Sequence, residues 1–230
     1  MNAVSNPTNL PVEAFDLSAF VRGLTHEVAN PLNAIAMNCE LLRMIAGRGE
    51  PERVVEAVER ILIACSRSGG MMRGLQRFGS ALRRQPAVTV GMRELIDGAV
   101  QALATEYPDA RPRVELSGVD ASVHVDRAGF ERALVALLRN AAEAGSSQVL
   151  IEVIRDAGDL VVDLRDDGAG FLVEDRDKYA SPFYSTHRTP ANMGLGLTLV
   201  REILRAHGGS LRIMPVERGA HLQLRVPAGD

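Results

Sequence analysis

Leu160-Val161-Val162-Asp163-Leu164-Arg165-Asp166-Asp167-Gly168-Ala169-Gly170 is the stretch that decides the fold. Its first half is short, apolar and rich in β-branched residues, which predicts a strand over Leu160–Arg165, and its second half breaks into an Asp/Gly turn. Just upstream, Gln148–Arg155 predicts a neighbouring strand, joined through the turn Asp156-Ala157-Gly158-Asp159. Farther out, Ala87–Val90, Val114–Leu116 and Ser122–Val125 predict short strands, Met92 to about Thr105 a helix, and Asp126 the cap of a helix running to about Ala144. A last helix, Leu195 to about Ala206, leads through Gly208-Gly209 to strands near Leu211–Met214 and His221–Val226. Strands and helices mix without strict βαβα alternation, so residues 86–230 are expected to form an α+β sandwich with helices on one face of a mixed sheet.

The preceding residues have a different period. From Phe15 to about Ala46, apolar residues recur every three or four positions (Leu17, Phe20, Leu24, Val28, Leu32, Ile35), the stripe of one long helix, which Gly47 and Gly49 stop. Pro51 opens a second helix where its missing N–H costs nothing, and Val54, Val58, Ile61, Leu62, Leu75 and Leu82 continue a similar stripe to about Arg84. Residues 14–85 are thus expected to form an antiparallel helical hairpin. Such a hairpin is too thin to bury both stripes, whereas two copies close a four-helix bundle, so a homodimer is expected. Residues 1–13, with Asn, Pro and Thr and little periodicity, read as a flexible leader.

The totals exclude several classes. The chain has 230 residues, 46% apolar and 24% charged, an ordinary globular composition. A net charge of −3 gives no drive for binding nucleic acid. No run approaches the roughly 18 to 20 apolar residues that cross a bilayer, and the N-terminus has no signal peptide, so a cytoplasmic location is expected. Cys39 and Cys65 lack metal-ligand spacing and read as small core residues in a reducing compartment.

Four motifs carry chemistry. His26-Glu27-Val28-Ala29-Asn30-Pro31-Leu32 lies inside the first long helix, with His26 and Asn30 one turn apart on the same face. A neutral imidazole is a good nucleophile for phosphoryl transfer, and a carboxylate holding one ring N–H raises the electron density at the other nitrogen, which assigns His26 as nucleophile and Glu27 as its orienting base. Pro31 strains the helix interior by roughly 3 kcal/mol, a feature tolerated at working sites. At the strand end, Asp166 can accept a hydrogen bond from an exocyclic amine such as that of adenine, and Gly168 and Gly170 let backbone approach a ligand, although an Asp/Gly turn is more often only a turn. Gly194-Leu195-Gly196-Leu197-Thr198 opens a helix whose N–H groups suit phosphate. Asn140, near the end of its helix, offers a carbonyl to Mg²⁺, though most helical asparagines are only polar surface.

Taken in order, these motifs resemble the two-component sensor histidine kinases over about residues 15 to 228. His26–Leu32 is similar to the phosphoacceptor box, Asn140 to the N box, Asp166–Gly170 to the first glycine box, Pro182-Phe183-Tyr184-Ser185-Thr186 to the F box and Gly194–Leu197 to the second glycine box. Ala206-His207-Gly208-Gly209 sits where that family often has a His-Gly-Gly turn. The resemblance implies a dimerisation and phosphotransfer hairpin followed by an ATP-binding domain of the Bergerat type. It implies that Asp166 reads adenine and that Asn140 holds Mg²⁺. It implies further that Gly168, Gly170, Phe183, Thr186, Gly194, Leu195 and Gly196 line ATP, and that Tyr184–Met193 is a lid. His187 or Arg188 would bring positive charge to the γ-phosphate. Asn30 would orient a water that dephosphorylates the partner, a response-regulator receiver domain. The leader is too short to sense anything, so the sensing part is expected either on a separate sensory protein or on a longer chain of which this is a piece. Ala136 and Asn192 depart from the family's boxes, which implies weaker nucleotide affinity.

The expectation is therefore an ATP-dependent histidine kinase acting on its own His26. A histidine phosphotransfer relay would be marked by loss of Asp166 or the glycines, and both are present. A protein-binding ATPase of the anti-sigma kind would not need the hairpin with His26-Glu27.

Overall fold

The computed structural model describes residues 8–9, 15–110, 112–171, 178–179, 181–185 and 193–229. Helix α1 runs Leu17–Ile45 and α2 Pro51–Ala81. The α1 start is capped by Asp16, whose side chain accepts the Ala19 N–H, and Pro31 stands within it. Pro51 is at the first turn of α2, and the connection between the helices uses Gly47 and Gly49 at φ +80° and +70°. The two helices pack as the expected antiparallel pair. Their stripes are only half used, since Leu17, Leu32, Val58, Leu62 and Met72 remain exposed in the single chain. Cys39 and Cys65, expected in a core, are exposed as well, because they fall on helix faces that the hairpin leaves uncovered.

The second domain follows the order β2 (Val88–Gly91), α3 (Met92–Glu106), β3 (Arg113–Gly118), β4 (Ser122–Val125), α4 (Arg127–Glu143), β5 (Gln148–Asp156), β6 (Asp159–Asp166), α5 (Gly196–Ala206), β7 (Ser210–Met214) and β8 (Ala220–Pro227). With a two-residue β1 (Thr8–Asn9), the main sheet has the order β1-β7-β8-β6-β5-β3, and β2 pairs with β4 separately. Only β3 and β5 are parallel; the other pairings are antiparallel. The period-2 pattern points Val149, Ile151, Leu160, Val162, Leu222 and Leu224 to one side, where they join Phe130, Leu134 and Leu204 of the helices in one buried core. Each such side chain is worth about 1.5–3 kcal/mol of burial. The expected leader is thereby corrected at one point: Thr8 and Asn9 pair with Ile213 and Arg212, because β7 would otherwise be a sheet edge with unpaired backbone groups.

A small polar cluster joins the domains. The buried Asp126 caps α4 through Oδ1, which accepts the Gly129 N–H at 3.0 Å, while Oδ2 accepts the Gln85 N–H at 3.0 Å. The His207 ring accepts the Asp126 N–H at Nε2 (2.9 Å) and donates from Nδ1 to the Ile203 carbonyl (2.8 Å), which fixes its tautomer. Arg84 donates to the Ala206 carbonyl at 2.6 Å. The histidine of the Ala206–Gly209 turn is thus a structural clamp between the end of α5 and the start of α4. His207→Ala leaves the Asp126 N–H without its acceptor and is expected to lower stability by about 1–3 kcal/mol, read as an earlier midpoint in urea denaturation.

Candidate functional site

Two sets of chemical groups lie on different domains. On α1, His26 and Asn30 are both exposed, with the Asn30 amide 3.4 Å from His26 Nδ1. As placed, the Asn30 NH₂ donates to His26 Nδ1; with the amide rotated, its oxygen would instead accept Nδ1–H and leave Nε2 as the free lone pair. Glu27 follows at the partly covered edge of the same face.

On the second domain, β6 ends in Asp166. Its Oδ1 accepts the backbone N–H groups of Gly168 (2.9 Å) and Ala220 (3.2 Å), and Oδ2 has no acceptor role among the described residues. Burial pushes the Asp166 carboxyl above the ordinary aspartate range, partly offset by those two N–H groups. Asp167 is the opposite case: Ser147 and Ser146 hydroxyls and the Gln148 and Ser147 N–H groups hold it far below that range. It fastens the end of β6 to the start of β5.

Gly170, at φ +72°, lies so close to Gly219 that a Cβ would come within 2.1 Å of its carbonyl oxygen. Gly194, at φ +68°, abuts Tyr184 in the same way, at 2.3 Å. Both glycines serve approach of backbone to backbone, which then sets the wall of the site. At Gly196, the first residue of α5, a Cβ would fall 3.1 Å from Asn140 Oδ1, so its absence keeps open the space between the Asn140 amide and the helix N-terminus. Asn140, Gly170, Gly194 and Gly196 line one cavity of about 100 Å³. Gly168 abuts Ala144, which is part of the cavity wall, and Asp166 accepts the Gly168 N–H one step farther out.

The remaining expected positions fall elsewhere. Phe183, at φ +66°, and Leu195 are buried with Phe78 of α2 in an apolar cluster, against Phe20 and Leu24, and do not line this cavity. Their apolar side chains turn to the hairpin because its aromatic residues offer burial there; the Phe20 and Phe183 rings are 5.2 Å apart. Gly23 makes room for Phe183, the residue before the expected lid, and Gly74 for Met193 at its end, since Cβ atoms there would meet them at 2.5 and 2.6 Å. Thr186, His187 and Arg188 lie outside the described residues. Not anticipated were Glu143, Phe171 and Tyr179 on the cavity wall. Phe171, Tyr179 and Tyr184 form edge-on pairs at 4.5 and 5.1 Å. In a chain with 4% aromatic residues, such a group beside the glycines was the available signal.

The donors fit an adenine nucleotide: a carboxylate oxygen at a half-buried strand end, and an open N-terminal turn of α5 beside an Asn amide. Among the described residues no group of three His, Cys, Asp or Glu side chains forms a metal cage, so a cation here would be shared between Asn140 and phosphate oxygens. The raised Asp166 value has a sign. Its contribution to stability is present at low pH, where the group is neutral in both states, and is lost as pH rises through the folded value. Recognition of an adenine amine by this carboxylate would run the other way, since the ionised group is the better acceptor. Nucleotide affinity is expected to fall on acidification before an ordinary aspartate, at about pH 4, would protonate; a fluorescent-nucleotide titration across pH checks this.

Comparison with known proteins agrees with this layout. Residues 16–80 match the family model for the His Kinase A phospho-acceptor domain, and residues 125–230 that of the histidine kinase-, DNA gyrase B- and HSP90-like ATPases. The chain is 28% identical over 222 residues to the nitrogen regulation protein NtrY of Azorhizobium caulinodans, covering 90% of this chain and 28% of that protein. It is 29% identical to the sensor protein FixL of Bradyrhizobium diazoefficiens, covering 90% and 43%. It therefore spans less than half the length of these relatives. The structure of the Acinetobacter baumannii histidine kinase AdeS shares the fold, with a TM-score of 0.57 at 20% identity over 89% of this chain and 98% of that one. With a phosphoacceptor hairpin and a kinase-type ATPase domain in tandem, the chain belongs to the two-component sensor histidine kinases.

Proposed function

We propose that this chain is an ATP-dependent protein-histidine kinase that phosphorylates His26 and passes the phosphoryl group to an aspartate of a response-regulator receiver domain. The observation that carries this is an exposed imidazole with a side-chain partner on one helix face, in the same chain as a half-buried Asp166 beside the Asn140–Gly196 opening. Asp166 Oδ2 accepts the adenine amino group. Asn140 would hold Mg²⁺, and the N-terminal turn of α5 receives the phosphates. Mg²⁺ supplies charge neutralisation on the phosphate oxygens. The His26 Nε2 lone pair attacks the γ-phosphorus; the P–N bond forms as the bond to the β–γ bridging oxygen breaks, and ADP leaves with that electron pair. Glu27 and Asn30 hold the ring, and positive charge at His187 or Arg188 belongs at the γ-phosphate. In the reverse role, Asn30 orients water toward the aspartyl phosphate of the partner.

The exposed apolar stripe of α1 and α2 supports a homodimer, and the absence of any described helix apolar enough to cross a membrane is compatible with work in the cytoplasm, where ATP is available. Leu62→Glu places a charge on that stripe and is expected to shift the protein toward monomer in sedimentation equilibrium. Incubation with γ-labelled ATP and Mg²⁺ tests the kinase: acid-labile label on the protein is expected, and none, with nucleotide binding intact, would favour a relay role.

A further inference from the structure

A second cavity, of about 460 Å³, lies between the C-terminal end of α2 and the α3–α4 face of the ATP-binding domain. It shares only Gly196 with the nucleotide cavity. Phe78, Val135, Ala136, Met193 and Leu199 give it an apolar wall, and its size is that of small-molecule sites. Three guanidinium groups reach it, from Arg77, Arg132 and Arg139. Arg132 donates from Nη2 to the Ala81 carbonyl at 3.4 Å. Arg139 donates from Nη1 to the Tyr107 hydroxyl at 3.2 Å and lies over the Tyr107 ring, with Glu143 3.5 Å from its Nε. Yet the Nε atoms of both Arg132 and Arg139 are shielded from solvent and make no hydrogen bond among the described residues. Of the two carboxylates on the wall, Glu131 is engaged by Arg127 at 2.9 Å, and Glu106 is exposed at the end of α3. Glu143 faces Arg139, but Arg77 and Arg132 have no ion pair among the described residues, so the cleft carries an excess of positive charge, and an oxyanion is the group that matches a guanidinium.

We infer that this interdomain cleft is a binding site for a small anion with an apolar body, such as an aromatic or medium-chain carboxylate or sulfonate. The charged end meets the terminal guanidinium nitrogens of Arg132 and Arg139, and the body lies along Val135, Ala136 and Leu199. One wall belongs to the hairpin and the others to the ATP-binding domain, so an occupant bridges the two, and its affinity reports how closely they are docked.

The full chain is titrated with 8-anilinonaphthalene-1-sulfonate, an amphipathic aromatic anion, and in parallel with its neutral counterpart N-phenyl-1-naphthylamine. The expected result is saturable binding of the sulfonate at one site per chain, retained under saturating ADP. Arg132→Met with Arg139→Met should weaken the sulfonate at least roughly tenfold while leaving the neutral probe little changed. Ala136→Leu, which narrows the cleft and keeps both arginines, should weaken both probes. The inference is overturned by sulfonate binding that is unsaturable, that ADP abolishes, or that neither variant alters, the last pointing to the exposed stripes of α1 and α2. Equal loss of both probes in the arginine variant, with its melting temperature unchanged, would also overturn recognition of the charge.

Discussion

Replacing His26 by Ala is expected to reduce ATP-derived, acid-labile label on the protein to background while leaving nucleotide affinity unchanged. The size of the effect follows from the chemistry. In the proposed reaction the imidazole is the acceptor itself, so its removal would abolish the reaction rather than slow it. His26 is exposed on α1, and its contact among the described residues is a 3.4 Å approach of the Asn30 amide, so truncation leaves no buried group unsatisfied and little stability is lost. Loss of label together with a lowered nucleotide affinity would instead mean that the hairpin shapes the nucleotide site. Label that persists would place the acceptor elsewhere.

Asp166→Ala carries the second large effect. Hydrogen bonds to a charged acceptor are worth about 1.5–3 kcal/mol each, so if the carboxylate receives the adenine amine as proposed, its removal is expected to weaken ATP about 10- to 150-fold. The same carboxylate also receives the Gly168 and Ala220 N–H groups, and their release loosens the turn that brings Gly170 against Gly219. Calorimetric titration with ATP and with GTP separates the two contributions. A base-reading role predicts that the preference for ATP disappears, whereas a merely structural role lowers both affinities by the same factor.

Much of this architecture was legible in the sequence because periodicity reports burial. The stripe from Leu17 to Ile45 marks α1 closely, and the Asp126 cap and the tight turn at Ala157-Gly158 set element boundaries by local chemistry alone. Sheet order was not legible. That β8 lies between β7 and β6, and that β3 runs parallel to β5, depends on long-range pairing that a period of two residues does not encode. The site divides along the same line. Asn140 and Gly196 meet because α4 and α5 pack side by side, and their motifs announced it. Phe183 and Leu195 lie within the boxes yet turn toward Phe78 and Phe20, because the choice between ligand and neighbouring helix is made by tertiary packing. The two cysteines follow stripes that the single hairpin leaves bare.

Asp167 has a thermodynamic consequence for how ATP is held. By gathering Ser146, Ser147 and the Gln148 backbone around one carboxylate, it riveted the strand bearing Asp166 to the segment that follows the helix bearing Asn140. In the proposed function the two ends of the nucleotide would be met by groups mounted on one frame, whose disorder is surrendered when the domain folds rather than when ATP arrives. Binding free energy is left for discrimination, and the entropy of assembling the pocket is charged once, to the protein's own stability.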